Sequence, residues 1–326
     1  MALRGGVDLG GTKIQAVVLD DEHEVRGQAR GQTPLQGEPA DVARAMAAVM
    51  REAAAEAGTE PAELTGVGVG SPGQVDSAAG TVTNAGNLPG WRGTFPLAQA
   101  LHDELATAVR ITNDVGAATD AEALLGAGRD LESFIAVFWG TGVGGAFVQG
   151  GRRWRGRGFA GEIGHVVVKV DGARCPCGKR GHMEAYAGRR AMEERARRLA
   201  DEGHHTVLFK LMEQKGRDRL TSGIWERALE QGDEVAKETI ERAFRAMGAG
   251  VASAVNFLDP GGVVLGGGLG VRFGERAAGW LSEAMRPHLF ADERPPAVHV
   301  ARLGDLGGAI GASLLVGREA PAGVAR

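Results

Sequence analysis

Three glycine loops and two polar clusters carry the residue types that chemistry needs. The first loop is Asp8-Leu9-Gly10-Gly11-Thr12-Lys13, set between apolar runs. Paired glycines let backbone N–H groups approach a phosphate, Thr12 adds a hydroxyl donor, and Lys13 follows with a positive charge. Asp8, just before the turn, is placed to hold a magnesium ion through water. Gly6 and Gly11 have the P-loop separation, but Thr12 stands where that motif needs lysine. Taken alone, the loop reads equally well as a plain hairpin turn. Gly140-Thr141-Gly142-Val143-Gly144-Gly145 and Gly266-Gly267-Gly268 repeat the arrangement, each after an apolar segment. Three such loops at strand ends point to a ligand rich in phosphate.

Asn113-Asp114 falls where an apolar strand meets a helix. A carboxylate there can take the proton of a hydroxyl attacking phosphorus. It can also do no more than cap the helix, a frequent use of aspartate. Downstream, GFAGEIGHVVVKVDGARCPCGKRGHMEAYAG puts His165, Cys175, Cys177 and His182 in one short stretch. Thiolate and imidazole in a set of four suit a tetrahedral structural zinc. Two inert thiols beside unrelated histidines are the plainer alternative. Glu162 and Glu184 flank this knot, and a zinc clip would fix them relative to each other for a polyhydroxylated ligand.

Two further patterns carry less. Gly68-Val69-Gly70-Ser71-Pro72-Gly73 has dinucleotide-binding spacing, but QVDSAAGTVTN after it does not read as a helix. No helix N-terminus would meet a pyrophosphate there. The arginines at 152, 153, 155 and 157 read as a solvated loop in an acidic chain.

The elements that must position these residues alternate along the chain. Residues 3–32 read as three short strands, followed by an alanine-rich helix with Pro39 in its first turn and Gly58 past its end. The buried strand LTGVGVG leads into a polar hairpin-like stretch through Asn87-Leu88-Pro89-Gly90-Trp91, a helix near 96–107, the strand AVRITN and a helix opening at Asp114. The second half repeats this grammar with ESFIAVFW, a glycine turn and GAFVQGG. A short strand HVVVKV, helices near 184–202 and 233–257, the strand VVLGGG, a helix near 274–287, the strand AVHVARL and a last helix from about 306 complete it. The expectation is an α/β chain of two pseudo-duplicated halves with a cleft between them. The small domain would comprise 1–113 plus the C-terminal helix at about 306–326. The large domain would comprise 114–305 and carry the zinc knot.

Composition bounds the rest. Among 326 residues, 53 are glycine, more than twice the usual ~7 %. No triplet period accompanies them; they cluster beside apolar segments, which suggests backbone-lined ligand loops. A net charge of −4 argues against nucleic acid as a partner. No apolar run reaches the roughly 18–20 residues of a membrane span, and the N-terminal MALRGGVDLGG lacks a signal-peptide core. With two cysteines there is no disulfide framework. A soluble cytoplasmic protein is expected.

Together these motifs resemble the ROK family of sugar kinases and sugar-sensing repressors, and within it the bacterial glucokinase type. VDLGGTKIQAVVLD is similar to the family's first phosphate motif, ITNDVGAATDAEALLGAG to its catalytic segment and FWGTGVGGAFVQGG to its second phosphate motif. GEIGH with CPCGKRGHMEAYAG is similar to its zinc-and-sugar motif, and VVLGGG to its adenosine-side loop. The resemblance implies an actin/hexokinase-like two-domain ATPase fold, ATP with magnesium, and γ-phosphoryl transfer to a hexose hydroxyl. By position it implies Asp114 as general base and Asn113, Glu162, His165, Glu184, Gly73 and Asn87 as sugar contacts. Asp8, Gly10, Gly11, Thr12, Lys13, Thr141, Gly142, Gly266, Gly267 and Gly268 would serve the nucleotide. His165, Cys175, Cys177 and His182 would hold zinc. A homodimer or homotetramer acting in carbohydrate metabolism is further implied. Glucose is the expected acceptor; N-acetylmannosamine and N-acetylglucosamine kinases share nearly the same frame.

One departure stands out. The family usually has a third cysteine where this chain has His182. Imidazole can replace thiolate at zinc, giving a His2Cys2 set. The family's repressors bind sugars without phosphorylating them and carry an extra N-terminal helix-turn-helix domain. Here the phosphate loop begins at Val7, and the phosphate loops and Asp114 favour a kinase over a non-catalytic sugar-binding regulator.

Overall fold

Apolar runs separated by glycine and acidic turns make the first thirty residues an antiparallel meander of β1 (Arg4–Leu9), β2 (Lys13–Leu19) and β3 (Val25–Gln32). The computed structural model describes residues 2–86 and 88–317. α1 (Pro39–Glu56) starts with proline at its first position, and the Asp41 carboxylate accepts the Glu38 N–H before it at 2.8 Å. β4 (Val67–Ser71) adds parallel to β1, and every residue in it is buried. β5 (Gln74–Asp76), β6 (Thr81–Thr83) and β7 (Thr94–Phe95) form a separate small antiparallel sheet. α2 (Leu97–Leu105) then leads into β8 (Val109–Asn113), parallel to β4, and α3 (Asp114–Leu124) follows without a loop. The sheet order is β3-β2-β1-β4-β8.

β9 (Ser133–Trp139), β10 (Val143–Gln149) and β11 (Arg152–Arg153) open the second sheet as another antiparallel meander. Four helices follow: α4 (Glu184–Ala187), α5 (Arg189–Asp201), α6 (Leu208–Gln214) and α7 (Ser222–Glu230). The long α8 (Glu234–Leu258) packs its apolar stripe into the core around Trp139, where Phe244 meets the indole edge-on at 5.0 Å. β12 (Gly262–Gly266), α9 (Gly267–Phe273), α10 (Glu275–Met285) and β13 (Ala297–Val300) complete the sheet in the order β11-β10-β9-β12-β13. Strand order and sense thus repeat between the two sheets, the duplication that the repeated strand, glycine turn and strand grammar implied.

α11 (Gly307–Ser313) returns to the first sheet and packs on β1, β4 and α3. A side chain on Gly6 or Gly68 would collide with its backbone at Ala309 or Ala312. Gly68 and Gly70 therefore serve close helix-to-sheet packing, and the chain after β4 continues into β5, with no helix to receive a pyrophosphate.

The chain divides into two compact units, Met1–Leu125 with the segment from Asp305 onward, and Gly126–Gly304. The expected boundary at 113/114 moves accordingly: α3 belongs with the first sheet, because its small residues pack against α11 and β4. The C-terminal helix ends at Ser313, and residues 318–326 of the expected helix lie outside the described residues.

Other local expectations are corrected as well. HVVVKV is no strand: only Val167 makes a bridge, to His182, while the amides of Val168 and Lys169 converge on the Gly181 carbonyl. That folding closes the segment over the histidine and cysteine side chains. The helix expected over 184–202 breaks at Gly188, where the chain meets the second glycine loop. α6 and α7 were not anticipated. The third glycine loop opens into α9, with Gly267 at φ +81° and no room for a side chain against the Trp139 backbone. In the arginine run, Arg152 and Arg153 form a short strand, and Trp154 is exposed.

Candidate active site

In the first unit the glycine loop and the head of α3 meet. Asp8 is the penultimate residue of β1, opposite Gln15, and the turn closes with Gly10 N–H donating to the Lys13 carbonyl at 2.9 Å. Thr33 donates its hydroxyl to the Gly10 carbonyl at 2.6 Å, which fixes the loop against β3's end. Gly70 of β4 lies between Asp8 and Asp114: a Cβ on it would sit 3.3 Å from the Asp114 Cα and 3.6 Å from Asp8 Oδ1. Gly308, at the start of α11, has its Cα facing the same Asp8 carboxylate, with no room for a side chain. Burial and then the neighbouring Asp114 push the Asp8 pKa up to about 7, with Lys13 pulling the other way and Asp305 adding to the rise. Lys13 itself pairs with Asp305 at 3.0 Å.

Asn113, not Asp114, caps α3. Its Oδ1 accepts the Gly116 N–H at 3.2 Å, while Asp114 Oδ1 accepts from Val115 at 2.8 Å at the first helical position. The cap use of Asp114 is therefore taken by its neighbour, leaving Asn113 its amide nitrogen as a donor. Gly73, two residues beyond the end of β4 and beside the end of β8, has φ +92° and packs on Ala85. Asn87 lies outside the described residues.

In the second unit the remaining candidates converge. The two other glycine loops are adjacent, a Cβ on Gly140 falling 3.9 Å from the Gly268 nitrogen. Glu184 opens α4 and reaches the second loop, its Oε2 accepting the Val143 N–H at 2.9 Å. Gly142 leaves the space for that carboxylate. The other oxygen, Oε1, is 3.7 Å from Cys175 Sγ.

His165, Cys175, Cys177 and His182 form one cluster whose ligand atoms lie within 4.8 Å of one another. The two Nδ1 atoms are 3.2 Å apart, Cys177 Sγ is 3.2 Å from His182 Nδ1, and Cys175 Sγ is 3.8 Å from His165 Nδ1. Zinc bonds of roughly 2.0–2.3 Å in a tetrahedron place ligands about 3.3–3.8 Å apart, so the donor set fits that ion. With Nδ1 directed inward, His165 turns Nε2 toward Glu162 Oε2 at 3.9 Å. Burial pushes the Cys175 thiol up to about 12, and burial followed by the nearby His165 holds His182 below the usual imidazole range. A cation among them would favour the thiolate instead. Tyr186 buttresses the knot: its hydroxyl accepts the Ala173 N–H at 2.8 Å, and Arg242 of α8 lies 4.8 Å over its ring.

A residue the sequence reading passed over is Arg189, the first of α5. Its Nη2 donates to Thr141 Oγ1 at 2.9 Å, and its backbone N–H donates to the Gly140 carbonyl at 3.0 Å. Its signal was the Gly-Arg-Arg that follows the knot.

Comparison with known proteins matches these features along the chain. The model of the ROK family covers residues 4–319. A glucokinase of Streptomyces coelicolor is 31% identical over 98% of this chain and 99% of its own length. An N-acetyl-D-glucosamine kinase of Citrobacter koseri is 30% identical over 95% of this chain and 98% of its own. The crystal structure of a ROK family glucokinase from Streptomyces griseus, in complex with glucose and AMPPNP, superposes with a TM-score of 0.83 at 33% identity. That match covers 97% of this chain and 99% of the other.

Proposed function

The chain belongs to the ROK family, and from that premise we propose that it is an ATP-dependent hexose kinase that phosphorylates the 6-hydroxyl of glucose. The observation that carries this reading is the pair of aspartates Asp8 and Asp114 on either side of Gly70, at the entry to a phosphate-type glycine loop. Full-length similarity to glucokinases supports glucose as the acceptor. The similar N-acetyl-D-glucosamine kinase keeps an N-acetylhexosamine as the alternative acceptor.

Asp114 acts as the general base. It orients the attacking hydroxyl and accepts its proton as the oxygen bonds to phosphorus. A positioned carboxylate suffices as the base because phosphoryl transfer depends mostly on positioning and charge. Asn113, Gly73 and Asn87, together with Glu162, His165 and Glu184, contact the sugar. Backbone N–H groups of Gly10, Gly11 and Thr12, the Lys13 ammonium, and the loops at Thr141–Gly142 and Gly266–Gly268 hold the nucleotide.

Asp8 is the residue that would hold magnesium, because a carboxylate with its pKa lifted by burial and a like charge is relieved by a cation. When bound, magnesium neutralises charge on the phosphates. His165, Cys175, Cys177 and His182 would hold a structural zinc, which supplies folding energy and fixes Glu162 and Glu184 on either side of the knot.

The test is a coupled ADP-release assay with ATP and magnesium across glucose, mannose, fructose, N-acetylglucosamine and N-acetylmannosamine. Turnover highest on glucose is expected. Highest turnover on an acetamido sugar transfers the assignment to the alternative. Silence on every sugar overturns the kinase reading in favour of a sugar-binding regulator.

A further inference from the structure

Arg189, at the head of α5, lies against the second glycine loop. Several other arginines of the second unit pair with a carboxylate, as Arg197 does with Glu193 and Arg272 with Glu226. Arg189 has no such ion pair among the described residues. It is half-buried, its positive charge is disfavoured first by that burial and then by Arg219 nearby, and Glu193 compensates only in part. Glu193 is already engaged, accepting from Arg197 at 2.6 Å and from the Leu220 N–H at 2.8 Å. The chain thus keeps an incompletely compensated guanidinium against a glycine loop. Such a charge is costly to keep unless an anion completes it.

Its one side-chain hydrogen bond is specific. Nη2 donates to Thr141 Oγ1 at 2.9 Å. A guanidinium has donors only, so the threonine oxygen must accept here, and its own hydrogen is left to donate elsewhere. The loop around it is oriented by the same residue. The Gly140 carbonyl accepts the Arg189 N–H, and Arg190 N–H reaches toward the Thr141 carbonyl at 3.4 Å. Both carbonyls are thereby turned into the first turn of α5.

We propose that Arg189 is a positioning residue for the phosphoryl donor: through Thr141 it commits that hydroxyl to donating toward a donor phosphate, and its charge reinforces the bond. This deepens the kinase reading and rests on it. Lysine would keep the charge but lose the planar fork, and methionine would keep the stem while losing charge and donor.

The experiment is a double-mutant cycle of Arg189→Met and Thr141→Val, with Arg189→Lys and Thr141→Ser as conservative controls. It is read by the KM for ATP, the KM for glucose and kcat, and by calorimetric binding of AMPPNP with magnesium. Arg189→Met is expected to raise the KM for ATP and weaken AMPPNP about tenfold or more, with the KM for glucose within about twofold. Arg189→Lys recovers part of the loss, and in the Thr141→Val background Arg189→Met adds less than about threefold. An unchanged KM for ATP, full additivity, or a parallel rise in the KM for glucose overturns the proposal and leaves the kinase reading standing. A wild-type protein that turns over no sugar refutes the kinase reading, and AMPPNP binding then decides Arg189 separately: equal affinity in wild type and Arg189→Met, or none in either, overturns it.

Discussion

Glu184 accepts the Val143 N–H at 2.9 Å, so one carboxylate joins the end of the second glycine loop to the first turn after the metal-type knot. Its position beside Cys175 and its empty neighbour Gly142 make the tether local and tight. Glu184→Ala is expected to raise the KM for both glucose and ATP. Glu184→Gln retains a carbonyl that can accept from Val143, so it should raise the KM for glucose about tenfold or more while leaving that for ATP within about twofold. Steady-state kinetics on both variants checks this. Equal losses of ATP affinity in the two would show that the hydrogen bond is not what links the loop to the sugar side.

Asp8 predicts a pH-dependent stability. Its folded pKa of about 7 lies above the unfolded value of 3.8, so its contribution is full below the lower value and is lost as pH rises through the upper one. Removing the charge should therefore stabilise the ligand-free protein at pH 8, and that gain should fade toward pH 4. Melting temperatures of wild type and Asp8→Asn across this range test the sign. Magnesium at pH 8 should raise the melting temperature of the wild type more than that of Asp8→Asn, since the cation supplies the compensation that the variant no longer needs.

The sheets and the site motifs were largely legible because apolar alternation and glycine turns are local signals. β1, β2, β9 and β10 fall where the periodicity put them, and the repeated grammar gave the duplicated order. What was not legible depends on tertiary contact. HVVVKV has the residues of a strand, yet its carbonyl and amide partners lie on the knot around Gly181, which no period reveals. α3 was placed beyond the domain boundary because nothing local shows that Gly311 of α11 sits against Ala117. Arg189 was passed over because its meaning comes from Thr141, far off in sequence. The cap of α3 shows the same limit at one-residue scale: Asn113 and Asp114 are both good caps, and only the geometry assigns the task to Asn113.

That assignment makes Asp114→Asn a clean test of the base. The helix keeps its Asn113 cap, and loss of the charge beside Asp8 removes one of the causes of the raised Asp8 pKa. The ligand-free variant should be at least as stable as wild type above pH 7 and bind glucose with similar affinity, while turnover falls at least ~100-fold. Stability and activity would move in opposite directions, which a folding defect cannot produce. Near-normal turnover would remove Asp114 from the mechanism.

His182 gives the sharpest prediction for the knot. Without a cation Cys175 holds its proton up to about pH 12, so a metal must displace that proton, and retention should strengthen with rising pH. Purified protein is expected to contain one zinc per chain, and a chelator should strip it more readily at pH 6 than at pH 8, lowering the melting temperature. His182→Cys adds a second buried thiolate donor and should resist the chelator at higher concentration, whereas His182→Ala should lose zinc during purification. The kinetic readout separates fold from site: loss of zinc should raise the KM for glucose, because Glu162 and Glu184 are held through the knot, before it changes the KM for ATP. If the purified protein contains no zinc, or if zinc is stripped with the melting temperature and the KM for glucose unchanged, the knot is held by the packing of Tyr186 and Cys175 against α8 instead.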